Sequence, residues 1–79
     1  MTPAQAREEL LTKTLDQIHE ETADTWATRA LAARQLFIET HDLKWATAFT
    51  DLAHEALEHA ALSANDAALA TIRMRLRTP

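Results

Sequence analysis

The chain of 79 residues contains no glycine and no cysteine, and its two prolines, Pro3 and Pro79, lie at its ends. Gly-rich loops that bind phosphates or dinucleotides are excluded, because their backbones need the conformational freedom of glycine. The usual residues of tight β-turns are also missing. Without cysteine there is no disulfide and no thiolate zinc site. Good helix formers such as alanine, leucine and glutamate dominate instead, which predicts an all-α fold.

Long apolar runs are absent too. No stretch approaches the roughly 20 apolar residues that a membrane-spanning helix needs. The first nine residues lack the basic start and apolar run of a secretory signal, so we expect a cytoplasmic protein with no membrane partner. The net charge is −4. Because binding to phosphates needs the opposite sign of charge, we expect no nucleic-acid partner either.

The length predicts one domain, residues 1–79. Chains this short bury a small fraction of their surface, and they are often stabilised by disulfides, a metal ion or a partner chain. Since disulfides are excluded, we expect self-association as a dimer or a higher homo-oligomer. Another protein is a second possible partner.

The predicted centre of the fold is an antiparallel helical hairpin over residues 23–61, with its turn at residues 39–42. Apolar side chains recur at helical spacing on both sides of this turn. Asp42 suits the N-cap of the second helix, predicted over residues 43–62. We expect the core to form here, because the hairpin contains all four aromatic side chains of the chain: Trp26, Phe37, Trp45 and Phe49.

An N-terminal helix is predicted before the hairpin, with Thr2 and Gln5 as a capping box at its start. Leu11, Leu15 and Ile18 then follow at spacings of four and three residues, so a helix would align them in one apolar stripe. A second chain is expected to cover this stripe. The predicted interface therefore consists of Leu11, Leu15, Ile18, Trp26 and Trp45.

The region between this stripe and the hairpin allows two interpretations. At about 100° per residue, the stripe that begins at Trp26 points roughly 80° to 100° away from the N-terminal one. Either the helix breaks, with Thr22, Asp24 or Thr25 as a new N-cap, or it continues unbroken to about Thr40. No glycine or proline marks a break, so we favour the continuous helix.

A short C-terminal helix is predicted over residues 66–77. Its start is either a capping box of Ser63 and Asp66 or an N-cap at Asn65. Residues 1–24 contain six acidic and two basic side chains, whereas residues 66–79 contain three arginines and one aspartate. The acidic first helix is therefore expected to pair with the basic last helix, within one chain or between chains.

The histidine and glutamate side chains in the stretch from His54 to His59 suggest a second functional hypothesis, namely a metal-binding helical protein. Helical metal sites place ligands three or four residues apart, as in the pair Glu55 and His59. His54 and His59 point about 140° apart at five-residue spacing, so one ion cannot bind both. A third ligand from elsewhere, such as His19, would be needed. The simpler interpretation is two carboxylate–imidazole pairs on a solvated helix face.

No arrangement of residues indicates catalysis. Ser63 is the only serine, it lies at a predicted helix end, and no base is spaced to activate it. We therefore predict a protein without enzymatic activity or cofactor. Its expected role is protein–protein interaction, assembly or regulation, as a homo-oligomer formed through the N-terminal apolar stripe.

Overall fold

The computed structural model describes residues 1–13, 22–63 and 65–77, which contain four helices and no strand. None of these helices has both the length and the apolarity required to cross a membrane. The predicted small all-α bundle, a hairpin with one N-terminal and one short C-terminal helix, is confirmed. The helices are α1 (Pro3–Thr12), α2 (Ala23–Thr40), α3 (Leu43–Leu62) and α4 (Asp66–Arg77).

Two of the predicted helix starts are present as expected. At the start of α1 the Thr2 hydroxyl accepts a hydrogen bond from the Gln5 N–H at 3.2 Å, and Gln5 Oε1 accepts one from the Thr2 N–H at 2.8 Å. At the start of α3 the Asp42 carboxylate accepts from the Lys44 N–H at 3.0 Å. These side chains bind backbone N–H groups that have no partner inside the helix.

The start of α4 follows the second of the two predicted alternatives. Asn65 Oδ1 accepts a hydrogen bond from the Ala67 N–H at 3.0 Å and so caps the helix. The Ser63 hydroxyl instead donates to the Ala60 carbonyl oxygen at 2.7 Å, at the end of α3. The predicted capping box of Ser63 and Asp66 is therefore wrong, because the Ser63 hydroxyl is bound to the preceding helix.

The continuous helix favoured from the sequence is also wrong. Helix α1 ends at Thr12 and α2 begins at Ala23. The backbone is extended at Lys13, with φ −128° and ψ 151°, and at Thr22, with φ −69° and ψ 160°. The Thr22 hydroxyl accepts a hydrogen bond from the Thr25 N–H at 3.4 Å, so Thr22 is the N-cap of α2. A capping hydroxyl starts the new helix without glycine or proline.

Helices α2 and α3 form the most extensive helix pair, as predicted for the hairpin. Their antiparallel direction is evident from Trp26 and His59, whose ring centroids are 5.9 Å apart at the end away from the turn. Small side chains are prominent among the buried residues of these two helices, and side chains of this size allow helices to pack closely. Those with at most 1% exposure are Ala27, Ala30, Ala33, Ala56 and Ala60.

Three of the four aromatic residues lie at the margin of the core rather than at its centre. Trp26 is 6% exposed, whereas Phe37, Trp45 and Phe49 are only partly buried. Within the described ranges, the large aliphatic side chains that are fully buried are Leu36 and Leu52, each 1% exposed.

Among the described residues of one subunit, the acidic α1 and the basic α4 do not form an extensive helix pair. Their pairing between chains stays a prediction. Helix α1 packs on α2, and α4 packs on both α2 and α3. Among the described residues, the basic α4 reaches the acidic N-terminal part of the sequence where Arg75 forms an ion pair with Asp24 at the start of α2. In α1, the Glu9 carboxylate pairs instead with Arg29 of α2.

Helix α2 ends in a left-handed backbone conformation at His41, with φ 57° and ψ 20°. The His41 N–H donates to the Phe37 carbonyl oxygen at 2.8 Å and closes the last turn. Glycine is favoured at this position because it has no Cβ to collide with the neighbouring carbonyl group. His41 therefore holds a strained conformation at the hairpin turn.

Replacement of His41 by glycine is expected to raise the free energy of unfolding by about 0.5–1 kcal/mol, since the steric cost of the left-handed conformation is removed. For a domain of this size the melting temperature would rise by about 2–8 °C. Thermal melting followed by circular dichroism measures the change. His41→Ala keeps the Cβ and is the control, from which no increase is expected. A lower melting temperature for His41→Gly would contradict this account.

Candidate interaction surface

Helix α1 has a buried side and an apolar outward side. Ala6 and Leu10 are 0% and 6% exposed and form its buried side, whereas the adjacent Leu11 is 56% exposed. Ala4 is exposed as well. Because residues seven positions apart return to nearly the same direction of a helix, Ala4 and Leu11 form one outward apolar stripe. Of the predicted interface residues, Leu11 thus faces away from its own core.

Leu15 and Ile18, the other two members of the predicted N-terminal stripe, lie outside the described residues. Among the described residues, helix α1 ends at Thr12. The neighbouring Leu10 is buried and belongs to the hydrophobic core.

The two tryptophans of the predicted interface differ in their surroundings. Trp26 is buried, and the Arg29 guanidinium lies 4.7 Å from its ring centroid. It belongs to the subunit core and is not accessible to a second chain, which removes it from the proposed interface. Trp45 is partly buried, with the Lys44 ammonium group 5.0 Å from its ring centroid.

A buried ion pair fixes α1 on α2. Arg29 Nη2 donates to Glu9 Oε2 at 3.2 Å, and a second hydrogen bond joins Arg29 Nε to Glu9 Oε1. The side chains are 1% and 15% exposed, respectively. Because this pair and the burial of Leu10 set the orientation of α1, they also determine that Leu11 points outward. Sequence reasoning missed this pair, although Arg29 borders the apolar side of α2 predicted from Trp26.

A groove of about 600 Å³ lies between α1 and the C-terminal part of α4, with α2 between them. The polar side chains Thr28 and Gln35 contribute to its wall. Its apolar lining consists of Pro3, Ala4, Leu31 and Ala32. Its charged lining consists of Arg7, Arg34, Arg75 and Glu39.

The charged groups of the groove are held in place by hydrogen bonds. Both Arg7 Nη atoms donate to the Glu39 carboxylate, at 2.9 and 2.8 Å. The bond from Arg7, together with one from Gln35, lowers the pKa of Glu39 from its usual value. Arg75 pairs with Asp24 near the start of α2. The arginines are thus positioned by the fold at the edges of an apolar surface.

Arg34 adds a third fixed guanidinium group. Its Nη1 donates to the Leu76 carbonyl oxygen at 3.3 Å, close to the end of α4. Arg75 Nη2 donates to the Thr28 hydroxyl at 3.0 Å. These bonds join α4 to α2 and form one wall of the groove.

The carboxylate–imidazole pairs predicted on α3 are present. His59 Nδ1 lies 3.8 Å from Glu55 Oε2 and 2.8 Å from the Glu55 carbonyl oxygen, and His54 Nε2 lies 3.6 Å from Glu58 Oε2. Within the described ranges, no group of three or more histidine, aspartate or glutamate side chains is arranged to hold a metal ion. His19, the third ligand of the metal hypothesis, lies outside them, so that site stays a prediction.

Comparison of the chain with protein-family models, curated proteins and solved structures finds no match. The function is therefore inferred from the chain's own surfaces and side-chain pairs.

Proposed function

We propose that this chain is a non-enzymatic, cytoplasmic interaction module that acts as a homo-oligomer through the outward side of α1. The observation that supports it best is Leu11, 56% exposed on a helix whose neighbouring leucine is buried. Full burial of a leucine side chain contributes about 1.5–3 kcal/mol, of which Leu11 gains only a part within its own subunit. A second chain packed on α1 would supply the rest.

The attachment of α1 to the bundle supports the same role. Besides the buried pair of Glu9 and Arg29, Arg7 and Glu39 form a bidentate ion pair between α1 and α2. Helix α1 therefore presents Leu11 in one orientation. A side chain held in its binding position loses less conformational entropy on association, which favours affinity.

Substitution of Leu11 tests the proposal. Light scattering after gel filtration should give the wild-type chain a mass of at least two subunits of 8.9 kDa at micromolar concentrations. Leu11→Arg should give one subunit, since the guanidinium group would have to be buried without a partner. The Leu11→Arg substitution should raise the dissociation constant of the complex at least about thirtyfold, as is typical of side chains at the centre of an interface.

The matched control is Leu62→Arg, because Leu62 is 79% exposed near the end of α3 and is not part of α1. This variant should keep the wild-type mass. Equal helicity of all three proteins by circular dichroism shows that the fold is retained. A wild-type chain that stays monomeric, or a Leu11→Arg variant that stays oligomeric, would contradict self-association through α1.

A further inference from the structure

We infer, on the basis of the self-association proposed above, that the groove between α1 and α4 of one subunit binds the outward side of α1 of a second copy. Leu11 of each copy would insert between Leu31 and the apolar end of α1 in the other copy. The result is a closed dimer rather than an oligomer of undefined size.

The apolar lining of the groove fits this occupant. Ala4 and Leu31 line it from α1 and α2, and Ala32 contributes a third apolar side chain. The volume of about 600 Å³ lies within the range of roughly 300–1,000 Å³ that is common for binding pockets in proteins. The groove is thus large enough for an isolated leucine side chain and part of the helix that carries it.

The charges on the two surfaces are complementary. The groove lining contains three arginines and one glutamate, on a chain whose net charge is −4. With Asp24, which pairs with Arg75, the described charged groups at the groove are three arginines and two carboxylates. Glu8 is exposed and lies three residues before Leu11, on the adjoining part of the same helix surface. A second copy that inserts Leu11 therefore brings the Glu8 carboxylate towards the guanidinium groups, which favours this orientation.

The positions of the two surfaces indicate a symmetric pair. Ala4 belongs both to the outward stripe of α1 and to the groove lining, so the inserted helix side and the receiving groove are continuous on one subunit. A surface that carries both complementary parts can pair with itself about a two-fold axis, so that each Leu11 enters the other groove. Both contacts are then satisfied in a dimer.

Complementary variants test this contact. Leu31→Glu changes the groove and leaves α1 intact, whereas Leu11→Arg changes α1 and leaves the groove intact. Each variant alone should be monomeric, with dimerisation weakened at least about thirtyfold. An equimolar mixture of the two variants should form a heterodimer. One of its two contacts is then the wild-type pair of Leu11 and Leu31. In the other contact, the arginine introduced by Leu11→Arg faces the glutamate introduced by Leu31→Glu.

The outcomes separate this inference from the proposed function. If Leu11→Arg dissociates the complex and Leu31→Glu does not, self-association through α1 stands and the groove is not the receiving surface. A mixture that stays monomeric also overturns the contact between Leu11 and Leu31. A monomeric wild-type chain overturns both proposals.

A cross-linking measurement covers the case in which Leu31→Glu fails to fold. The chain has no cysteine, so Leu11→Cys and Gln35→Cys each introduce a single thiol. Gln35 is exposed and lines the groove. Mild oxidation of a mixture of the Leu11→Cys and Gln35→Cys chains should give a disulfide-linked heterodimer if the proposed contact brings the two positions together. A disulfide forms only where the two Cα atoms are about 4.4–6.8 Å apart. A mixture of Leu62→Cys with Gln35→Cys is the control, and equal cross-linking in both mixtures would refute the proposed contact.

Discussion

Replacement of Arg29 by methionine is expected to lower the free energy of unfolding by about 3–5 kcal/mol. The Arg29 side chain is 1% exposed, and its removal leaves the Glu9 carboxylate, 15% exposed, without the guanidinium group that binds both of its oxygens. The contact of Arg29 with the ring of Trp26 is lost as well. Domains have a total stability of roughly 0.05–0.15 kcal/mol per residue, so the loss is a large share of what 79 residues provide.

Denaturant unfolding followed by circular dichroism measures this loss. Arg7→Met is the matched control, because its ion pair with Glu39 also joins α1 to α2 but has side chains that are 41% and 40% exposed. Exposed pairs contribute about 0–1 kcal/mol, so Arg7→Met should have a small effect. The double variant Arg29→Met, Glu9→Leu should recover part of the stability, since neither charge then remains buried. Equal losses for Arg29→Met and Arg7→Met would show that burial of the Arg29 pair is unimportant.

Leu52→Ala is expected to destabilise the fold by about 2–5 kcal/mol. The Leu52 side chain is 1% exposed in the core between α2 and α3. Most residues of the buried core to which it belongs are alanines, whose short side chains cannot rearrange to fill the space that is left. The substitution therefore removes favourable burial and also creates a cavity.

The same unfolding measurement checks this expectation. Leu43→Ala removes the same atoms from a position on α3 that is 74% exposed, and its effect should stay within about 0.5 kcal/mol. If both variants lost similar stability, the change in helix propensity on α3 would explain the effect better than loss of core packing.

Helices α3 and α4 could be predicted from the sequence with their observed bounds. Each begins after a side chain that caps it, Asp42 and Asn65, and each has apolar residues at regular helical spacing. These signals are local, since capping and periodicity depend on residues within a few positions of one another. Because only two residues separate α2 from α3, these two helices must be antiparallel neighbours.

The N-terminal region was harder to predict for two physical reasons. Threonine is favoured at N-caps but also occurs inside α2, α3 and α4 of this chain, so Thr22 was only one of three candidate N-caps. Leu10 and Leu11 are adjacent, and the short α1 offers too few apolar positions to decide which of them is buried.

The buried ion pair depended on information that a local pattern does not contain. Glu9 and Arg29 are twenty residues apart in the chain, and they meet only because α1 packs on α2. The groove was missed for the same reason, because its walls come from three helices. The sequence singled out Leu11 as an interface residue, but it could not indicate the groove that is proposed to receive it.

The alanine-rich contact between α2 and α3 also limits how this sequence can diverge. At positions such as Ala30 and Ala56, both 0% exposed, a larger side chain would push the two backbones apart and disturb the bundle. Side-chain size therefore limits which substitutions these buried positions can accept. Homologous chains should vary freely on the solvent side of α3 while keeping only the smallest residues where the two helices meet.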